Sequence, residues 1–103
     1  MDLLWRVKSA VVRGHVAFTE KARIELERDD LLETDVLESL LNATFLRTKR
    51  SKSRFRGHPG EKVCIITSFS YRGIFIYTKG VLRREQGREE FYILISSKRA
   101  VST

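Results

Sequence analysis

The hydrophobic pattern of this chain changes period once, near Asn42, and no other feature limits its fold as much. Before that point apolar residues recur at the 3.6-residue spacing of amphipathic helices. After it they come in β-branched and aromatic runs. Residues 2–13 place Leu3, Leu4, Val7, Ala10 and Val11 on one stripe, which Gly14 ends, since glycine takes the left-handed conformation without strain. Thr19 is a suitable N-cap for a second helix over 20–29, with Glu20 at the positive end of its dipole and Ala22, Ile24 and Leu26 as the inner stripe. Asp29-Asp30 interrupts the pattern. Thr34 then caps a third helix over 35–42, facing inward through Val36, Leu37, Leu40 and Leu41.

Beyond Asn42, Phe45–Thr48 reads as a short strand and residues 49–61 as a loop. Lys62–Phe69 (KVCIITSF) is apolar on both faces and suits a central strand. Ser70-Tyr71-Arg72-Gly73 is a turn, and the strand that starts at Gly73 runs to Lys79, its pattern extending past Gly80 through Val81-Leu82 with a bulge. Gln86-Gly87 turns the chain into a last strand, Glu90–Ser97. The expected fold class is α+β, with N-terminal helices packed on a C-terminal antiparallel sheet of about four strands. At 103 residues this is a single domain, 1–103, divided into a helical half, 1–42, and a half of basic loop and sheet, 43–103.

Charge follows the same division. Residues 1–42 hold nine acidic and six basic side chains, a balance of −3, whereas 43–103 hold fourteen basic and four acidic, a balance of +10. A net charge of +7 confined to one half points to a polyanionic partner met by one face. The lone cysteine, Cys64, lies within an apolar run and reads as a small buried hydrophobe. One cysteine forms no internal disulfide, which suits a reducing, cytoplasmic setting. His15 and His58 are far apart and lack companions at metal-ligand spacing. No apolar run approaches the ~20 residues that span a bilayer, so no membrane association is expected.

The densest local signal is the stretch 47–56, in which Arg47, Lys49, Arg50, Lys52, Arg54 and Arg56 surround a single aromatic, Phe55. Such a segment can clamp a phosphodiester backbone while the ring stacks on a base. Its plain alternative is a solvated loop. A second group lies on the strands: Tyr77 and Lys79 on one, and Tyr92, Ser96, Ser97, Lys98 and Arg99 on the last. Alternation gives Tyr77 and Lys79 one face, and Ser96 and Lys98 one face, together a shallow cationic floor. The plain alternative is the solvent side of an antiparallel sheet.

With no metal cluster, Ser-His-Asp set or glycine-rich phosphate loop in the sequence, the chemistry at hand is that of Arg, Lys and Tyr around a phosphodiester, and no cofactor is expected. RNA carries its own nucleophile, the 2′-hydroxyl. A site for it needs only to align that group and stabilise the anionic phosphorane, with a tyrosine or lysine as proton carrier. RNA is therefore favoured over DNA. The competing readings are a non-catalytic nucleic-acid-binding module and a protein-interaction domain that meets an acidic partner segment.

Several segments resemble the MqsR-like toxins. Val7-Lys8, Val11, Gly14 and Val16, followed by Thr19, Ala22, Val36-Leu37 and Leu40-Leu41, are similar to the helical half of that family. Ile93-Leu94-Ile95-Ser96-Ser97-Lys98 is similar to its final strand and terminal lysine. The resemblance implies a RelE-superfamily fold, helices on a curved antiparallel sheet. It implies a toxin of a type II toxin–antitoxin pair, a metal-independent endoribonuclease acting on mRNA, and a cognate antitoxin that often carries a zinc-binding domain. Carried over by position, the family's basic residue near the first strand falls on Arg47, where arginine replaces lysine. The sheet tyrosine falls on Tyr77 or, one alternation away, on Phe75, and the C-terminal lysine falls on Lys98. Those three positions, Lys98, Tyr77 and Arg47, are the expected catalytic set. Lys49, Arg50, Lys52, Arg54, Phe55, Arg56, Lys79, Tyr92 and Arg99 are the expected RNA-binding set.

Overall fold

Each helix begins where a side chain is available to accept an otherwise orphaned backbone N–H. In the computed structural model, which describes residues 2–51, 60–84, 87 and 89–101, Asp2 caps α1 (Leu3–Val12) by accepting from the Trp5 amide at 2.8 Å. The chain leaves α1 through Gly14 at φ 76°. Thr19 caps α2 (Glu20–Arg28) as expected, accepting from the Ala22 amide at 3.1 Å. The third helix, α3 (Glu33–Asn42), starts two residues before the expected boundary and is not capped by Thr34. Its N-cap position is Leu32, whose amide donates to the Asp35 carboxylate one turn ahead at 2.9 Å. The inner stripe of α2 is Ala22 and Leu26, one turn apart. Ile24 is 47% exposed, because two residues along a helix lie on nearly opposite sides.

The sheet has five strands, not four, and is mixed. β1 (Val16–Phe18), β2 (Arg47–Arg50), β3 (Lys62–Phe69), β4 (Phe75–Arg84) and β5 (Glu90–Arg99) lie in the order β1-β5-β4-β3-β2. β1 runs parallel to β5, pairing Val16 with Tyr92 and Phe18 with Leu94, while every other pairing is antiparallel. The first strand of the basic half begins and ends two residues later than the expected Phe45–Thr48, so Lys49 and Arg50 belong to a strand rather than a loop. β3 is buried on both faces from Val63 to Ile66, as its apolar run requires. β4 does pass Gly80, and a bulge occurs there. Lys79 pairs with Ser96 but Gly80 with Leu94, so the extra residue, Ile95, belongs to β5.

The main core lies between the helices and one sheet face. Val7, Ala10, Ala22, Leu26, Val36 and Leu40 meet Cys64, Ile66, Ile76, Tyr92 and Leu94 there. A smaller cluster of Val63, Val81 and Ile95, flanked by Ile93, occupies the middle of the opposite face. The turn Ser70–Gly73 joining β3 to β4 is closed by Ser70: its amide donates to the Ile74 carbonyl, and its hydroxyl accepts from the Ile74 amide. No helix of the described chain is long and apolar enough to cross a membrane.

Candidate nucleic-acid interface

Alternation along the strands determines which charged residues share the face away from the main core. Ile66, Ile76 and Leu94 point to the helices, so Ile65, Thr67 and Phe69 of β3 and Phe75, Tyr77 and Lys79 of β4 take the other side. The register aligns these in rows: Thr67 beside Tyr77 beside Lys98, then Arg47 beside Ile65 beside Lys79, then Lys49 beside Val63. Lys98 Nζ stands 5.5 Å from the centre of the Tyr77 ring, within cation–π range. Arg47 and Lys49, both exposed, lie two strands from Lys79 and Val81, roughly 10 Å across the sheet. The expected catalytic set, Lys98, Tyr77 and Arg47, therefore shares one face with Lys79 and Lys49. Lys98 and Tyr77 touch, and Arg47 stands apart from them.

Three expected RNA-binding residues lie elsewhere. Tyr92 is wholly buried among the helix-facing residues, where burial pushes its phenol well above the ordinary tyrosine range. Its register partner is Leu82, and the two share the helix side. Arg50 pairs with Lys62, one alternation off the face of Arg47 and Lys49, and its guanidinium donates to the Gly60 carbonyl at 2.9 Å. Arg99 sits opposite Ile76 on the helix side, and its guanidinium donates to the Asp29 carbonyl at 2.8 Å. Ser96 keeps its expected register, paired with Lys79 in the row next to that of Lys98, but it is buried at the edge of β5 and its hydroxyl donates to Glu25 Oε1 of α2 at 2.6 Å. Lys52, Arg54, Phe55 and Arg56 lie outside the described residues.

Lys98 is held in place by its neighbours. β1 ends at Phe18, so among the described residues the outer edge of β5 beyond Ile95 has no strand beside it, and α2 takes over that edge. The Thr19 amide donates to the Leu94 carbonyl, and the Thr19 hydroxyl donates to the Ile95 carbonyl. Further along, the Ser97 amide donates to Glu25 Oε1 at 3.1 Å and the Arg99 amide to Asp29 Oδ2 at 2.8 Å. Two carboxylates one helical turn apart thus replace the carbonyls of a missing strand, on either side of Lys98 in the chain. Burial raises the Glu25 carboxyl, but the Ser96 hydroxyl, the Ser97 amide and Lys21 outweigh it and hold the group below the usual carboxylate range. Glu25 and Asp29 do form an i, i+4 acidic pair in the sequence, yet helix spacing alone does not distinguish a solvated pair from one that caps a strand edge.

Sequence reasoning also missed Phe69, and named Phe75 only as the alternative position of the sheet tyrosine. They are register partners on the same face, with ring centres 4.6 Å apart.

Cys64 is buried in the main core, where desolvation pushes its thiol up to about 11, so it is no nucleophile at neutral pH. Among the described residues no cluster of three or more His, Cys, Asp or Glu side chains stands close enough to hold a metal ion. The assembled groups are four cations, a phenol and an aromatic pair on one sheet face. They can bind a phosphodiester, stabilise added negative charge on it and donate a proton. No family model, curated protein or solved structure matches this chain.

Proposed function

We propose that this chain is an RNA-cleaving toxin of the MqsR-like kind, a metal-independent endoribonuclease that acts on cytoplasmic mRNA and is silenced by a cognate antitoxin. The observation that carries the reading is the Lys98–Tyr77 contact on a face that also presents Lys79, Arg47 and Lys49. The lysine near the end of the last strand supports the reading, although the sheet is mixed, with β1 between α1 and α2, and not wholly antiparallel as the resemblance implies.

In the proposed reaction the substrate's 2′-oxygen attacks the adjacent phosphorus, and its proton passes to water. The bond from phosphorus to the 5′-oxygen breaks, leaving a 2′,3′-cyclic phosphate on one fragment and a 5′-hydroxyl on the other. Lys98 donates the proton that the departing 5′-oxygen takes up. Tyr77 donates a hydrogen bond to a non-bridging oxygen, and Lys79 and Arg47 offset the charge that builds on the phosphorane. The protein supplies no nucleophile, so DNA, lacking the 2′-hydroxyl, is bound but not cut.

The test is cleavage of an end-labelled single-stranded RNA in the presence of EDTA, comparing the wild type with Lys98→Ala, alongside growth on induction. The wild type should produce cyclic-phosphate ends and arrest growth. Lys98→Ala should lose at least a hundredfold in rate with an unchanged circular dichroism spectrum. Tight, salt-sensitive RNA binding without product would instead establish the non-catalytic binding module. A folded, fully active Lys98→Ala protein would remove Lys98 from the site.

A further inference from the structure

Phe69 and Phe75 are left open at the end of the cationic face, 53% and 36% exposed. We infer that this pair is a stacking platform for one nucleobase of a single-stranded RNA whose backbone crosses the Lys98–Tyr77 row. The inference rests on the proposed reading of this face as an RNA surface and names the form of RNA it takes.

Three observations lead there. The rings are tilted by 33° with centres 4.6 Å apart, so each braces the inner face of the other and both remain partly exposed to take a base on the stack. They lie one alternation along β3 and β4 from Thr67 and Tyr77, about 6.7 Å away at the usual strand rise, a distance comparable to one nucleotide step of an extended strand. The segment that carries them is anchored at several points. Asn42 Nδ2 donates to the Phe69 carbonyl at 2.8 Å, the Ala100 amide to the Phe75 carbonyl at 2.9 Å, and the Tyr71 amide to Glu38 Oε1 at 3.0 Å. Arg72, in the intervening turn, grips Asp35 through two hydrogen bonds.

Cross-strand aromatic pairs also stabilise hairpins, but this turn is already tied to α3 by those bonds. Charge selects the occupant. The platform adjoins a row ending in Lys98, and beyond it a row holding Arg47 and Lys79, which complements a polyanion that exposes bases. A duplex keeps its bases stacked on one another and offers none to the pair, so the preferred ligand is single-stranded.

The experiment measures binding of an uncleavable single-stranded RNA, 2′-O-methylated throughout and carrying one 2-aminopurine, to the full chain and to its Phe69→Leu, Phe75→Leu, Phe69→Tyr and Phe75→Tyr variants. Leucine keeps the apolar contact that supports the hairpin but removes the π face, and tyrosine keeps both. The leucine variants should bind roughly ten- to a hundredfold more weakly, the loss expected for one stacked base. Their salt dependence should stay that of the wild type, because no charge is removed, and the tyrosine variants should bind as the wild type does. The 2-aminopurine fluorescence should be quenched by the wild type and not by the leucine variants. Leucine variants that bind and quench like the wild type would overturn the platform while leaving the RNA reading intact, including the case in which the pair meets a protein partner. A wild type that binds no RNA would overturn both.

Discussion

The phenol ring of Tyr92 fills the space where a side chain at Gly80 would begin. A β carbon on Gly80 would meet Tyr92 Cζ at 2.5 Å, Tyr92 Oη at 2.7 Å and the Ile93 carbonyl at 2.9 Å. Gly80 is therefore required for space at the point where β4 and β5 change register. Gly80→Ala should destabilise the domain by about 1–3 kcal/mol through overpacking. Adding Tyr92→Leu to Gly80→Ala should recover part of that loss, so urea denaturation of the two single variants and the double variant should give a favourable coupling energy. Additive effects would show that the two residues do not constrain each other.

Tyr92 supports a second expectation, of opposite sign. Its hydroxyl is buried and has no hydrogen-bond partner among the described residues. A buried hydroxyl left unpaired costs free energy, and its removal keeps the ring's packing. Tyr92→Phe should therefore leave the urea midpoint unchanged or raise it, by up to about 1 kcal/mol. It should leave RNA binding untouched, because the residue faces the helices. A clear loss of RNA affinity in a stable Tyr92→Phe protein would contradict that placement.

The division of the chain into helices and sheet was legible because period, caps and glycines agree. Thr19 and Gly14 act where their chemistry predicts, and the KVCIITSF run is central. The fifth strand was not legible. Val16–Phe18 is too short to show an alternation, and its partner strand lies more than seventy residues away. At the site, alternation placed Tyr77, Lys79 and Lys98 correctly relative to one another, since these depend on a local period of two. It also gave Ser96 its register beside Lys79, but not its burial against Glu25, which depends on where α2 packs along the edge of β5. Tyr92 misled because a tyrosine on a strand suits either face. Only the packing of the three helices against the sheet decides which face is the core.

Asp35 ties acid stability to the turn that carries the aromatic pair. Its carboxylate accepts from Arg72 Nε at 2.9 Å, Arg72 Nη2 at 2.8 Å and the Leu32 amide at 2.9 Å. The Arg72 guanidinium holds it below the usual carboxylate range, against the opposing effect of burial and with help from the Leu32 amide. A value depressed on folding stabilises the native state fully above the unfolded value of about 3.9, and that contribution is lost as pH falls through the lower folded value. Glu25 and Glu90 are lowered in the same direction. The urea midpoint should thus fall steadily below about pH 4. Asp35→Asn should lower stability at pH 7 by about 1–3 kcal/mol and make the acid limb shallower. An acid limb as steep as the wild type's would show that Asp35 contributes no such linkage.

The edge carboxylates should control the order of the strand segment bearing Lys98. Glu25→Ala leaves the Ser97 amide and the Ser96 hydroxyl without their acceptor, at a cost of about 1–3 kcal/mol. Amide exchange at Ser97 should accelerate well beyond that at Leu94, whose strand pairing is unchanged. Cleavage should slow, and Glu25→Gln, which keeps an acceptor oxygen, should restore most of both. Uniform acceleration across β5 would mean that Glu25 supports the whole fold rather than this segment.

The two faces of the sheet make separate predictions for RNA binding as salt is raised. Each phosphate contact on a single strand contributes about −0.7 to the slope of log K against log salt. Arg47 and Lys49 project on the face of Lys98 and Tyr77, so Arg47→Ala and Lys49→Ala should each make the slope shallower by about 0.7 and weaken binding alike across RNA sequences. Arg50 is one alternation away, with its guanidinium on the Gly60 carbonyl, and Arg99 is held by Asp29. Alanine at either of those positions should leave the slope unchanged, although all four substitutions remove the same unit of charge. Titration of one labelled oligonucleotide at four salt concentrations separates the cases. Equal changes at all four positions would mean that the partner responds to the overall charge of the domain, and that the open face has no particular part in holding it.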